Sequence, residues 1–194
     1  MLLVALTGNY GMGKSTVLSM FRNLGASTID TDRVVDSLLT EKRVLIKIKK
    51  LLGNEVFYKD GSLNKKKVAK LIFKDNNLRR SLEDILHPLV FERIKDFTDK
   101  ITKDEKIIIV AVPLVYERGY ENRFDKIVVV HTDLEVAINR LENSGIAKKD
   151  ALLRLKAQLP IEEKMKRADF LIDNNGSLLE TVKQVKKIFK KLTK

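Results

Sequence analysis

The sequence contains no cysteine among its 194 residues. Disulfide bonds and thiolate-bound metal centres are therefore excluded, and this composition is typical of a reducing compartment. The first residues, MLLVALTG, have neither the basic segment nor the small-residue cleavage site of a secretory signal. We therefore expect a cytoplasmic protein.

Long apolar runs are also missing. The longest covers residues 107–116 and includes Pro113, whereas a membrane-spanning helix needs about 18 or more apolar residues. This run predicts a buried strand, and no membrane partner is expected. Aromatic residues make up only 6% of the chain and do not alternate with its basic clusters. A stacking platform for single-stranded nucleic acid is therefore not indicated, and nucleic acid is not an expected partner.

Positive charge is what the sequence has in excess. Lys and Arg number 38 against 26 Asp and Glu, which gives a net charge of +12. Such a surplus concentrates polyanions, nucleotides among them. Much of it lies in short clusters at 47–50, 65–67 and 183–194, and the favoured interpretation of each cluster is a solvated helix face. No feature of the sequence indicates the oligomeric state.

Apolar runs rich in Ile and Val alternate with segments of helical periodicity, which is typical of an α/β fold. A hydrophobic content of 44% is sufficient for one compact domain. The expected strands cover residues 2–6, 28–30, 107–112, 126–130 and 170–172. The expected helices are 15–24, several within the charged block 33–100, two within 132–158 and one at the end of the chain. These features predict a three-layer α/β/α sandwich around a parallel, five-stranded sheet.

The last of these helices is amphipathic and basic. Ser177 and Glu180 have the spacing of a capping box at its start. Its apolar stripe is expected to contain Leu178, Val182, Val185, Ile188 and Leu192. A helix of this kind can bind a membrane or a partner protein, but packing against the sheet is the favoured interpretation.

Residues 8–15, GNYGMGKS, match the phosphate-binding pattern G-x-x-x-x-G-K-[ST] between an expected strand and an expected helix. The loop N–H groups and the positive end of the helix dipole would face phosphate oxygens. Lys14 is expected to reach the β- and γ-phosphates, Ser15 to offer its hydroxyl to Mg²⁺, and Thr16 to touch the α-phosphate. A glycine turn that carries a lysine by chance is the alternative. The predicted ATP-binding residues of this segment are Gly8, Asn9, Tyr10, Gly11, Met12, Gly13, Lys14, Ser15 and Thr16.

The loop predicts a bound nucleoside triphosphate, and the remaining sequence favours a kinase. A dinucleotide fingerprint fails because Thr16 stands where its last glycine is required. The guanine signature N-K-x-D is absent, and the single D-x-x-G at 173–176 is interpreted as a turn. The strand IIIVAVP lacks the Asp-Glu pair of an ATPase coupled to motion. A small-molecule kinase instead needs a carboxylate near the phosphate loop and mobile cations.

Asp30 and Asp32 follow the second expected strand in the segment TIDTD. The carboxyl ends of parallel strands form the edge at which α/β proteins bind ligands. Either carboxylate can accept the proton of an attacking hydroxyl or hold Mg²⁺ through water. Helix capping by Asp32 is the alternative.

Several segments resemble the dephospho-CoA kinase family, in the family's order and at its distances. They are the phosphate loop, IDTD at 29–32, LHPLV at 86–90, VPLVYE at 112–117 and RLKAQLPIEEKMKRADFLIDNNGSL at 154–178. The resemblance extends over nearly the whole chain. It implies a P-loop kinase that transfers the γ-phosphoryl group of ATP to the ribose 3′-hydroxyl of dephospho-CoA. Mg²⁺ is then the expected metal, and ATP and dephospho-CoA are the expected partners.

The resemblance also implies catalytic roles for single residues. Asp32 is implied to be the general base and Asp30 to support it. Arg140 is implied to be a phosphate-contacting arginine of the lid, which together with Lys14 offsets the charge on the moving phosphoryl group.

Further residues are implied to bind the two substrates. The acceptor is implied to lie beside Asp30, Asp32, His87, Pro88, Leu114 and Glu117, and the adenine near Asn174, Asn175 and Gly176. Two alternatives stay open: His87 as a turn residue before a proline, and Glu117 as a surface or ion-paired group.

Two places depart from the family pattern. Where the family has Q-x-x-R-x-x-x-R in the lid, this chain has Ala137, Arg140 and Ser144, so the second arginine is missing. Asp36 stands where an arginine or histidine is common. An arginine that stabilises a phosphoryl transition state is worth about 10³- to 10⁵-fold in rate. We hypothesise that a cation further along the chain replaces it, and the candidates are Arg154, Lys148 and Lys149.

The resemblance divides the expected single domain into three parts. The nucleotide-binding core covers 1–32, 101–136 and 159–194, the helical acceptor-binding subdomain covers 33–100, and the lid covers 137–158. Two other functions stay open, namely another nucleoside or small-metabolite kinase and a weakly catalytic nucleotide-binding module.

Overall fold

A computed structural model describes residues 1–101 and 107–193. Residues 102–106 and 194 of the predicted nucleotide-binding core lie outside the described residues. The chain folds into two compact units, Met1–Asp30 with Ile101–Lys194 and Thr31–Lys100. The functional role predicted for each part of the chain stays a prediction.

The first unit contains a five-stranded parallel sheet with the strand order β2-β3-β1-β4-β5. Its strands are β1 (Leu2–Thr7), β2 (Ser27–Asp30), β3 (Ile107–Ala111), β4 (Lys126–His131) and β5 (Phe170–Asp173). Each lies within one or two residues of an expected strand. The apolar run 107–116 was expected to form a strand, and β3 accounts for its first half, while residues 113–119 turn back from the sheet.

The middle of the sheet is buried because its strands are covered on both faces. All residues of β3 are buried, and so are most residues of β1 and β4. This explains their continuous apolar runs. Every strand except β3 ends on a polar residue, and these residues are Thr7, Asp30, His131 and Asp173. Since all strands are parallel, these ends share one edge of the sheet.

Helices on both sides of the sheet complete the first unit, so the predicted three-layer α/β/α fold class is confirmed. These helices are α1 (Lys14–Asn23), α6 (Leu134–Asn143), α7 (Lys148–Lys156), α8 (Ile161–Lys166) and α9 (Leu178–Leu192), with a 3₁₀ turn at Glu121–Arg123. The capping box of α9 is present: Ser177 Oγ accepts from the Glu180 N–H, while the Glu180 carboxylate accepts from the Ser177 N–H.

The predicted apolar stripe of α9 was wrong at its first position. Leu178 is 64% exposed, whereas Thr181 is fully buried. The Thr181 hydroxyl donates to Asn174 Oδ1 at 2.9 Å, so this polar residue faces the protein interior because it has a buried partner there. Val185 and Ile188 are buried in the main core, as expected.

The second unit is helical. It contains α2 (Thr31–Leu38), α3 (Lys42–Leu52), α4 (Lys65–Ile72) and α5 (Asn76–Lys100), with a 3₁₀ turn at Asn54–Val56. Helix α5 packs against α2, α3 and α4 through a stripe of buried residues at four-residue spacing. The stripe consists of Leu82, Leu86, Val90 and Ile94.

His87 and Pro88 lie inside α5, so the alternative of a turn residue at His87 was wrong. Proline in a helix interior removes one backbone hydrogen bond and is normally unfavourable. Helix formation here is supported by the buried stripe on both sides of the proline. Within the described ranges, 1–101 and 107–193, no helix combines the length and the hydropathy that a membrane span requires. The cytoplasmic location stays a prediction.

Candidate active site

The phosphate loop runs from the end of β1 to the start of α1, and two of its glycines are required by close approach. A Cβ atom on Gly8 would lie 2.2 Å from the Val130 carbonyl oxygen, which belongs to the neighbouring strand β4. Gly13 has φ +94° at the N-cap of α1, and a Cβ atom there would lie 2.2 Å from Asn174 Nδ2. Only glycine fits either position.

Asn174 holds the loop from the side of β5. Its Nδ2 donates to the Met12 carbonyl at 3.0 Å, and its Oδ1 accepts from the Thr181 hydroxyl. Its backbone carbonyl accepts from Arg140 Nη2 at 2.8 Å. Asn174 was predicted to lie near the adenine. In the structure its buried side-chain amide joins the phosphate loop to α9, and its backbone carbonyl contacts α6.

The opposite side of the loop is held by residues that precede α8. Asn9 Nδ2 donates to the Leu159 carbonyl at 3.0 Å. The Tyr10 N–H donates to Gln158 Oε1 at 2.8 Å. Gln158 and Leu159 were not among the predicted site residues, because a side chain that supports a loop from behind has no pattern of its own in the sequence.

Lys14, Ser15 and Thr16 form the first turn of α1. Lys14 Nζ donates to the carbonyls of Gly8 at 2.9 Å and Asn9 at 3.2 Å, so its ammonium lies over the loop. Ser15 and Thr16 are exposed. The first N–H groups of a helix have no intrahelical acceptors and are available to an anion.

Arg140 lies on α6 and brings positive charge to the loop. Its Nη1 is buried and has no hydrogen-bond partner among the described residues. This atom is 4.0 Å from the position that a Cβ atom of Gly13 would take. The start of α6 is fixed by Asn175, whose Oδ1 accepts from the Thr132 hydroxyl at 2.6 Å and from the Asp133 N–H at 2.7 Å. A guanidinium group whose buried Nη1 lies beside this loop fits a phosphate oxygen.

Glu117 is ion-paired in the structure, and its predicted contact with the acceptor stays a prediction. Its Oε1 lies 2.7 Å from Lys164 Nζ and accepts from the Leu159 N–H at 3.0 Å. Its Oε2 is buried without a partner among the described residues. Lys164 is fully buried and was missed, because a lysine in the charged segment IEEKMK carries no signal of burial. Burial lowers the pKa of the Lys164 ammonium, while the charge of Glu117 opposes that shift.

The remaining predicted residues occupy several elements. Asp30 ends β2 at the carboxyl edge of the sheet, and Leu114 lies half-buried in the turn after β3. Gly176 precedes the capping box of α9. In the second unit, Asp32 lies in the first turn of α2, and this helix packs against α5, which carries His87.

The two departures from the family pattern have distinct surroundings. Asp36 forms an exposed ion pair with Lys65. Ser144 is exposed at the C-cap of α6, where its hydroxyl donates to the Arg140 carbonyl at 2.9 Å. Neither residue contributes a cation to the phosphate loop.

Of the three candidate replacement cations, one contacts the phosphate loop. The guanidinium carbon of Arg154, on α7, lies 4.9 Å from the centroid of the Tyr10 ring, and Arg154 Nη1 donates to Tyr10 Oη at 2.9 Å. Lys148 and Lys149, at the start of α7, are exposed.

A glycine-rich loop between a central parallel strand and a helix, with a half-buried arginine beside it, is the arrangement of a P-loop nucleotide-binding protein. The more specific assignment comes from comparison with known proteins. The family model of dephospho-CoA kinase matches residues 2–180. The chain belongs to the dephospho-CoA kinase family.

Individual relatives agree with the family assignment. The dephospho-CoA kinase of Aquifex aeolicus is 40% identical over 192 residues, which cover 98% of this chain and 97% of the relative. The crystal structure of a Thermus thermophilus protein is similar with a TM-score of 0.86 and 30% identity, covering 100% of this chain and 98% of that one. The dephospho-CoA kinase structure from Campylobacter jejuni has a TM-score of 0.69 and 26% identity, with 98% and 96% covered.

The contact between Gly13 and Asn174 leads to a prediction. Gly13→Ala should weaken ATP binding about tenfold or more, an effect on the order of 1.4 kcal/mol. The added methyl group meets Asn174 Nδ2 at 2.2 Å, and Asn174 cannot move without releasing Met12. Isothermal titration with ATP measures the dissociation constant.

Gly25→Ala is the matched control. Gly25 has φ +98°, close to the φ of +94° at Gly13, but a Cβ atom on it meets nothing within 4 Å. Both variants therefore carry similar backbone strain, of about 1 kcal/mol, and only Gly13→Ala should lose affinity. Equal affinities in the two variants would contradict the proposed role of the contact.

Proposed function

We propose that this chain transfers the γ-phosphoryl group of ATP to the ribose 3′-hydroxyl of dephospho-CoA and releases CoA and ADP. The observation that carries the donor half is the buried Nη1 of Arg140 beside the phosphate loop, which has no hydrogen-bond partner among the described residues. The acceptor half is supported by membership of the family, since the curated relatives carry the name dephospho-CoA kinase.

On the donor side, the protein supplies position and charge. The loop N–H groups and the first turn of α1 bind the phosphates, and Lys14 would exchange its contacts with the Gly8 and Asn9 carbonyls for β- and γ-phosphate oxygens. Arg140 Nη1 offsets the charge that develops on the transferred group. Asn174 holds the phosphate loop, and Asn175 holds the start of α6. In this proposal both residues also border the adenine.

The chemistry of Ser15 fits a ligand of Mg²⁺, and Asp32 is the second proposed ligand. Ser15 offers an exposed hydroxyl in the first turn of α1, and Asp32 would act through water. Among the described residues no group of three or more His, Asp or Glu side chains could hold a metal, and Mg²⁺ in kinases is usually bound through few protein oxygens together with substrate phosphates. When bound, it neutralises charge on the β- and γ-phosphates.

On the acceptor side, the helical unit Thr31–Lys100 binds dephospho-CoA in this proposal. Asp32 takes the proton of the attacking hydroxyl, and Asp30 supports it. The remaining acceptor contacts are proposed for His87, Pro88, Leu114 and Glu117. The buried Oε2 of Glu117, which has no partner among the described residues, supports this assignment because it is an acceptor available to a substrate donor group.

The direct test of the reaction is a product assay. The purified chain is incubated with Mg-ATP and dephospho-CoA, and in parallel with a panel of nucleosides, and the products are weighed by mass spectrometry. CoA should form at about 1 s⁻¹ or faster, the lower end for kinases. Preferential phosphorylation of another acceptor would support a different small-metabolite kinase, and no product at all would refute catalysis.

Replacement of the proposed base should affect chemistry more than ATP binding. Asp32→Asn keeps the size of the side chain but cannot accept the hydroxyl proton, so kcat should fall by about 10²- to 10⁴-fold, a larger change than that in the KM for ATP. Steady-state kinetics measure both constants. Asp36→Asn, which changes an exposed carboxylate one turn later, is the control and should retain kcat. A kcat of wild-type size in Asp32→Asn would remove Asp32 from the catalytic role.

The stacking of Arg154 on Tyr10 supports this arginine as the replacement for the missing lid cation. Arg154→Ala should lower kcat by about tenfold or more, because the removed charge acts on the phosphoryl group in the transition state. Lys148→Ala and Lys149→Ala remove exposed charges from the same helix and should leave kcat nearly unchanged. If only one of the lysine variants lost kcat, the role would belong to that lysine. Wild-type kcat in all three variants would refute compensation from α7.

A further inference from the structure

Lys164 is the one charged side chain that is completely buried in the part of the chain that the structure describes, with 0% of its surface exposed. It lies on the short helix α8, whose other lysine, Lys166, is exposed. Lysine is almost never fully buried unless it is paired. Such a position therefore requires a physical explanation.

The surroundings of Lys164 satisfy its charge and two of its donors. Nζ lies 2.7 Å from Glu117 Oε1 and donates to the Pro113 carbonyl at 3.1 Å. The same Pro113 carbonyl accepts from the hydroxyl of Thr7, the last residue of β1 before the phosphate loop, at 3.2 Å. Lys164 thus joins α8, the turn after β3 and the end of β1.

A second path leads from the ion pair to the phosphate loop. Glu117 Oε1 accepts from the Leu159 N–H at 3.0 Å, and the Leu159 carbonyl accepts from Asn9 Nδ2 at 3.0 Å. The adjacent Gln158 holds the Tyr10 N–H. Only the Glu117 side chain and the backbone of Leu159 therefore separate the buried ammonium from the loop.

Stability alone does not explain the buried pair. Replacement of a buried ion pair by apolar side chains of similar volume is often neutral or stabilising, so an ion pair in the interior is weak support for a stabilising role. What an apolar side chain cannot do is fix two oxygen acceptors in one direction. The Lys164 ammonium fixes the Glu117 carboxylate and the Pro113 carbonyl. Glu117 accepts from the Leu159 N–H, and Pro113 accepts from the Thr7 hydroxyl.

We propose that Lys164 is a positioning residue for nucleotide binding, which acts through Glu117 and Leu159 to hold the Asn9–Tyr10 side of the phosphate loop. The proposal rests on the proposed function only in taking this loop as the ATP site. Lys164 itself touches no substrate.

The test compares Lys164→Met with Lys166→Met, the same change two residues later at an exposed position. The dissociation constant of the β,γ-imido analogue of ATP is measured by isothermal titration, well below each variant's melting temperature. Lys164→Met should raise the dissociation constant about fivefold or more, while Lys166→Met should not change it. In steady-state kinetics, the KM for ATP should rise. A purely structural lysine would lower the melting temperature and leave the dissociation constant unchanged, and that result overturns the proposal.

A second variant covers the case in which Lys164→Met does not fold. Removal of one partner leaves a buried carboxylate uncompensated, whereas the pair Glu117→Gln/Lys164→Met carries no buried charge and is expected to fold. A glutamine at 117 can still accept from the Leu159 N–H but has lost the ammonium that held it. This pair should keep a near wild-type melting temperature and still bind the analogue about threefold or more weakly. Recovery of both stability and affinity would overturn the proposal.

The role of Lys164 and the proposed reaction can be tested separately, because titration with the ATP analogue measures binding without turnover. A wild-type chain that binds the analogue but forms no CoA refutes the proposed reaction, and the comparison of variants still decides the role of Lys164. A wild-type chain that binds no nucleotide refutes both.

Discussion

The conformation of the phosphate loop depends on hydrogen bonds from two segments that are distant along the chain. Asn174 binds the Met12 carbonyl from one side, while Leu159 and Gln158 hold Asn9 and Tyr10 from the other. A loop rich in glycine has little conformational preference of its own. The hydrogen bonds from these two segments fix the loop conformation before a ligand binds. The loop N–H groups are then already oriented, so less of the binding free energy is spent on ordering the loop.

Buried polar atoms without partners occur on three elements around this loop. Among the described residues they are Asn9 Oδ1, Glu117 Oε2 and Arg140 Nη1. An unsatisfied buried polar group costs about 1–3 kcal/mol, and the described residues provide no partner that would offset this cost. The set combines one cationic donor with two acceptors. This chemistry suits a ligand that carries both phosphate oxygens and hydroxyl or amino groups, as both substrates of the proposed reaction do.

The fold could be predicted from the sequence because strands and helices produce local patterns of apolar residues. The residues that hold the phosphate loop in place could not be predicted, because their positions depend on contacts between distant segments. The run IIIVA predicts β3, since only a strand covered on both faces is apolar at every position. By contrast, Thr181 is buried and Leu178 exposed because of the partner that Asn174 provides, and such a tertiary contact leaves no local pattern. The same holds for Lys164, whose burial depends on Glu117. His87 inside α5 shows tertiary packing overriding the usual effect of a proline.

In the proposed mechanism, the positive charge of the lid comes from two helices, α6 and α7, in place of α6 alone. An arginine at position 144 would have followed Arg140 by about one turn of α6. Ser144 instead ends that helix with a hydrogen bond to the Arg140 carbonyl, and the next cation, Arg154, stacks on Tyr10 from α7. A guanidinium group keeps its full charge when stacked on an aromatic ring, so nothing in this arrangement weakens its electrostatic effect. Helices α6 and α7 pack against each other. In the proposed mechanism this packing sets the distance between the two cations, and residues of the α6–α7 contact thereby influence catalysis without touching either substrate.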